Sequence, residues 1–118
     1  MTYNFYDTCS LLLKSGELFE NGEHFMLSSI TLKELELIKE DKNKDPDVKF
    51  AARDFLRKYG LPENRDKYTV IVYRNNMAEP ILSADLELNN DSKILATALY
   101  QRDIKNDDII FYTDDAQL

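Results

Sequence analysis

Tyr68-Thr69-Val70-Ile71-Val72-Tyr73 is an unbroken run of β-branched and aromatic residues, and it constrains the fold more sharply than any other stretch. Such side chains suit a pleated surface and lose rotamer freedom in a helix. Shorter runs of similar character stand at residues 3–6, at Phe25-Met26-Leu27 and at Ile109-Ile110-Phe111-Tyr112. These runs are continuous rather than alternating, which predicts strands covered on both faces. Helical patterns separate them. Thr31 to Asp41 places Leu32, Leu35 and Ile38 on one side, and Thr31 with Glu34 reads as a capping box. Asp45-Pro46 starts a second helix that runs to Tyr59, where Gly60 and Pro62 stop it. A third spans Asp91 to Arg102, with Ile94, Leu95, Ala98 and Leu99 as its buried stripe. Cys9 to Leu13 opens a helix or a loop, Glu17–Glu20 forms a turn between glycine breakers, and Ile81 to Leu88 carries no decisive pattern. Strands alternating with helices predict an α/β fold, a parallel sheet with helices on both faces.

The 118 residues suffice for one domain with one core. No apolar run approaches the roughly 18 residues of a membrane span, and no basic region leads into an apolar segment at the N-terminus. The single cysteine excludes an intramolecular disulfide and fits a reducing, cytoplasmic setting. Net charge is −7, which by itself opposes binding to nucleic acid. The distribution is uneven, however. Residues 33–67 hold ten Lys or Arg against nine acids, a segment of net +1, so the remainder is −8.

Four acidic positions fall at element ends. Asp7 follows the first strand and therefore sits at the carboxyl edge of the sheet, where ligands of open α/β folds gather. As an isolated residue it reads equally as a cap for the next turn. Glu34 lies on the inward flank near a helix start, or closes the capping box with Thr31. Asp91 stands one helical turn before Ile94 and Leu95 and continues their buried stripe. The helix dipole favours an acid there, but an outward-facing one would serve as well. Asp114 and Asp115 follow the last strand, preceded by the hydroxyl of Thr113. Carboxylates gathered this closely repel and call for a cation; oxygen-only donors favour Mg2+ or Mn2+. His24 reads as structural, and Cys9 as a small buried side chain.

The same motifs resemble the PIN domain, the metal-dependent nuclease module of VapC-type toxins and PhoH-type ATPases. The likeness runs through Asp7-Thr8, Ile30-Thr31-Leu32-Lys33-Glu34-Leu35-Glu36, Ala52-Arg53, Asn90-Asp91 to Ala98, and Thr113-Asp114-Asp115-Ala116-Gln117-Leu118. It implies a three-layer α/β/α fold whose parallel sheet has strand order 3-2-1-4, often with a fifth strand. It implies that Asp7, Glu34, Asp91 and Asp115 bind the metal and act in catalysis, with Thr113, Asp114 and Thr8 in support. The usual substrate is single-stranded RNA. Cys9 stands where the family often has asparagine, and the family usually continues beyond a point equivalent to Leu118. The expectation is therefore an N-terminal piece of a longer protein, with an ATPase domain or an antitoxin as partner, and with self-association through an exposed sheet edge.

Three functions compete at this stage. The first is a Mg2+- or Mn2+-dependent endoribonuclease. The second is a non-catalytic RNA-binding or assembly module of the same fold. The third is a phosphoacceptor receiver domain, which would want an acidic pair after the first strand and a lysine after the last, neither of which is present. Phe50, Arg53 and Arg57 fall together on the outer side of their helix, an arrangement that can stack a base and hold phosphates.

Overall fold

The computed structural model describes residues 2–113. Strand β1 (Thr2–Tyr6) leads into helix α1 (Thr8–Lys14), and β2 (Phe25–Ser28) into α2 (Ser29–Glu40) and α3 (Pro46–Tyr59). Strand β3 (Tyr68–Ile71) is followed by the short helix α4 (Glu79–Ser83), then α5 (Asn90–Asp103) and β4 (Asp108–Tyr112). All strand pairs are parallel, in the order β3-β2-β1-β4. Helices cover both faces, so the architecture is the three-layer α/β/α arrangement.

Side-chain alternation along the central strands feeds two cores. Tyr6, Phe25 and Leu27 pack with Leu11 of α1, Leu35 of α2, and Ala52 and Phe55 of α3. Phe5 and Met26 point the other way, onto Ile94 and Ala98 of α5. The first face is rich in aromatic rings: the Phe55 ring lies 5.3 Å from Phe19 and 6.3 Å from Phe25, and Tyr59 stacks on Tyr68 at 4.6 Å. β2 lies inside the sheet and is buried along its whole length.

Four local expectations change. α2 begins at Ser29 and is capped by Ser28, whose hydroxyl accepts from the Ile30 N–H at 3.1 Å. Thr31 is therefore inside the helix and wholly buried rather than a cap. β3 stops at Ile71, and Val72 is half exposed. The stretch without a pattern contains α4, only five residues long and too short for periodicity to register. In α5, Ala96 and Thr97 are buried while Leu95 and Leu99 are only half-buried. The reason is that α5 is covered twice, by the sheet through Ile94 and Ala98 and by α4 through Ala96.

Candidate active site at the carboxyl edge of the sheet

β1 pairs with β2 on one side and with β4 on the other, so the chain's direction of winding reverses at β1. In open α/β sheets that reversal leaves a crevice beyond the carboxyl ends of the strands. The register pairs Tyr6 with Tyr112, which brings Asp7 and Thr113 alongside each other just past the sheet. The Asp7 N–H donates to the Tyr112 carbonyl at 3.1 Å and fixes that placement. The Asp7 side chain also accepts the Ser10 N–H at 2.9 Å, so it does cap α1. Capping and site membership coexist: the half-buried residue lines a cavity of about 460 Å3 together with Asp91 and Thr113.

Asp91 reaches the cavity from the first turn of α5. The cap of that helix is Asn89, whose side chain accepts the Ser92 N–H at 3.0 Å while the Ser92 hydroxyl accepts the Asn89 N–H at 2.8 Å. Asp91 is thus spared from capping. It does not continue the buried stripe as its spacing predicts; it is exposed, on the cavity rather than in the core.

Glu34 is held differently. The Thr8 hydroxyl donates to its Oε1 at 2.6 Å, and the Thr8 and Thr31 hydroxyls lie 3.1 Å apart. A carboxylate only accepts, so the Thr8 proton goes to Glu34 and Thr31 donates to Thr8. Glu34 belongs to this buried hydroxyl relay and not to a capping box. It does not line the cavity, although its partner Thr8 is Asp7's neighbour in the chain. Asp114 and Asp115 lie outside the described residues.

The cavity holds one further acid that no sequence pattern marks. Glu87 lines the same cavity, beside an apolar wall of Leu86, Leu95 and Phe111. Its loop is fixed by Asp85 in the left-handed region (φ 60), by the Leu86 N–H on the Ile81 carbonyl at 3.1 Å, and by the Ser92 hydroxyl on the Glu87 carbonyl at 2.7 Å. No sequence pattern marks it, since it falls within the stretch 81–88.

The polar side chains on the cavity are carboxylates, hydroxyls and the Asn89 amide, whose oxygens in kind suit Mg2+ or Mn2+. Among the described residues, no group of three or more His, Cys, Asp or Glu stands where it could hold a metal ion. The two described carboxylates at Asp7 and Asp91 are the part of the expected set that shares this cavity.

Phe50, Arg53 and Arg57 are all exposed on α3, as their spacing predicts, and none of them lines the cavity. The Arg57 guanidinium donates to Asp54 Oδ1 at 2.9 Å, and Arg53 reaches the Lys39 carbonyl at 3.5 Å. Hydrogen bonds from Arg57 and Lys58 hold the Asp54 carboxyl below its ordinary pKa. Cys9 is exposed rather than buried, being the α1 residue between the buried Thr8 and Ser10. His24 is bonded at both ring nitrogens, Nδ1 to the Asp66 carbonyl at 3.0 Å and Nε2 to the Thr69 hydroxyl at 2.6 Å.

No helix among the described residues is long and apolar enough to cross a membrane. Compared with known proteins, the chain matches no curated protein and no solved structure. The family model that does match, over residues 5–118, is that of the PIN domain.

Proposed function

As this chain belongs to the PIN-domain family, whose members are generally nucleases, we propose that it is a metal-dependent endoribonuclease cutting phosphodiester bonds of single-stranded RNA. The observation that carries the reading is the meeting of Asp7 and Asp91, far apart in the sequence, on one cavity at the point where the sheet reverses its winding. Asp7, Glu34, Asp91 and Asp115 would hold Mg2+ or Mn2+, with Thr113, Asp114 and Thr8 in support. A bound ion of this kind supplies charge stabilisation at the phosphoryl group and lowers the pKa of water.

The chain's own residues prepare the ground. The α1 cap holds the Asp7 carboxylate in place through its bond with the Ser10 N–H. The relay from Thr31 through Thr8 restrains Glu34. Leu86, Leu95 and Phe111 present an apolar wall beside the acids, suited to the face of a nucleobase and to excluding water. Phe50, Arg53 and Arg57 offer a second contact for more distant nucleotides, through stacking and phosphate pairing. The single cysteine and an RNA substrate both suit a cytoplasmic protein.

The test is cleavage of a labelled single-stranded RNA while Mn2+ is titrated, with Asp7→Asn and Asp91→Asn alongside. Metal-dependent cleavage by the wild type that both variants lose supports the reading. RNA binding without cleavage at any Mn2+ concentration would establish the non-catalytic binding module in its place.

A further inference from the structure

The acidic cavity has a small basic neighbour. Ser10, Leu13, Lys14, Tyr112 and Thr113 line a separate recess of about 150 Å3, and Thr113 borders both spaces. We propose that this recess seats a backbone phosphate of single-stranded RNA next to the bond being cut, with the Lys14 ammonium as its cation; the inference rests on the ribonuclease reading above.

The need for such a cation follows from charge. A chain of net −7 that presents Asp7, Glu87 and Asp91 on one cavity repels a polyanion at the place where it must bind. The α3 arginines do not relieve this, since neither lines the cavity. Lys14 is placed differently. Its Nζ lies 5.7 Å from the centroid of the Tyr112 ring, within cation–π range. Tyr112 in turn stacks on Tyr6 at 4.9 Å and 16°, and Tyr6 is buried at 4% exposure. A flexible lysine is thereby held over a rigid two-ring stack. Less side-chain entropy is then lost when a ligand is engaged. Among the described residues no carboxylate forms an ion pair with Lys14.

Size and chemistry agree with a phosphate. The recess has about a third of the volume of its acidic neighbour, which suits a compact hydrated anion rather than a nucleoside. Its other polar lining residues, Ser10 and Thr113, carry hydroxyls that can donate to phosphate oxygens. Their backbones are fixed: Ser10 by its N–H bond to Asp7, and Thr113 by following the last register pair of β4.

The experiment is the salt dependence of affinity for a labelled single-stranded RNA, with Ca2+ replacing Mn2+ so that the RNA stays intact. Lys14→Met keeps the apolar stem over Tyr112 and removes the charge; Lys14→Arg restores a cation. Lys105→Met makes the same charge change at the far end of the sheet, in the exposed turn before β4. Lys14→Met is expected to bind more weakly and to flatten the slope of log affinity against log salt by about 0.7, the increment of one single-strand phosphate contact. Lys14→Arg should recover the slope and Lys105→Met should not disturb it. A wild-type slope in Lys14→Met overturns the phosphate seat while leaving the nuclease reading intact. An equal flattening by Lys105→Met also overturns it, because the effect would then be one of net charge. If the wild type neither binds nor cleaves RNA, the seat and the nuclease reading fall together.

Discussion

The two ends of the sheet treat polar groups in opposite ways. At the amino end, polar side chains are tied to backbone: His24 to the Asp66 carbonyl, Lys67 Nζ to the Phe19 carbonyl at 3.0 Å, and the Tyr68 hydroxyl to the Tyr59 carbonyl at 2.8 Å. Phe25 and Tyr68, the first residues of their strands, sit in the aromatic cluster with Phe19 and Phe55. At the carboxyl end, Asp91 has no hydrogen bond or ion pair among the described residues, and it opens with Asp7 and Glu87 onto a shared cavity. The amino end spends its polar groups on holding the chain. The carboxyl end uses Asp7 to cap α1 and Thr8 to hold Glu34, and leaves Glu87 and Asp91 exposed. What this teaches is where stability and chemistry should separate under mutation.

The strongest test of that separation is Phe55→Ala. Phe55 is fully buried in the aromatic cluster, and its truncation should cost about 3–5 kcal/mol in denaturant melts. Cleavage per folded molecule should be unchanged. A loss of cleavage in protein still shown to be folded would mean that the aromatic core sets the geometry of the acids, and the contrast would fail.

Asp91→Asn is the converse. It keeps shape and, with the cap residing on Asn89, should leave the melting temperature without metal close to that of the wild type. Mn2+-dependent cleavage should fall at least about 100-fold, since even partners one step removed from a metal often cost 10–100-fold. Calorimetry with Mn2+ should show weaker binding by the variant. A clear fall in metal-free stability with cleavage retained would assign Asp91 to the helix and not to the site.

Thr31→Val sharpens the boundary between the two ends. Thr31 is fully buried and its hydroxyl meets that of Thr8, so its loss should cost about 1 kcal/mol. Because Thr8 then loses one partner while still donating to Glu34, Mn2+ affinity should fall modestly and Thr31→Ser should restore it. Equal Mn2+ affinity in Thr31→Val and wild type would make the relay purely structural.

The smallest effect belongs to α3. Asp54 has its pKa lowered by hydrogen bonds from Arg57 and Lys58, so the stability it contributes is present above the unfolded carboxylate pKa and disappears as pH falls through the folded value. Asp54→Asn should cost about 0.5 kcal/mol near neutral pH, a magnitude typical of partly solvated pairs, and nothing in strong acid. A cost that persists unchanged into acid would show that charge is not the cause. By freeing Arg57, the same variant should tighten RNA binding if α3 carries substrate; unchanged affinity would remove that face from the RNA path.

Much of this architecture is written locally. The Asp45-Pro46 helix start and the Gly60 stop act within a few residues and appear where the sequence places them, and the run from Tyr68 forms its strand but ends at Ile71, two residues early. Continuous apolar strands with helices between them determine a parallel sheet, because only helices on both faces can bury both sides of such strands. Asp7 was legible for the same reason: a strand end locates it without reference to the rest of the chain. Tertiary structure decided what depends on distant partners. Thr31 and Glu34 have the spacing of a capping box, yet the buried hydroxyl of Thr8, far away in sequence, takes both into another network. Asp91 has the spacing of a buried stripe, yet it is exposed on the cavity. Glu87 and Lys14 carry no pattern at all; the loop through a left-handed Asp85 brings Glu87 to the cavity, and Lys14 lies over a stacked pair of tyrosines beside the neighbouring recess. Spacing along a helix fixes which side a residue occupies. What stands opposite that side is set by the packing of the other elements, and no local sequence contains it.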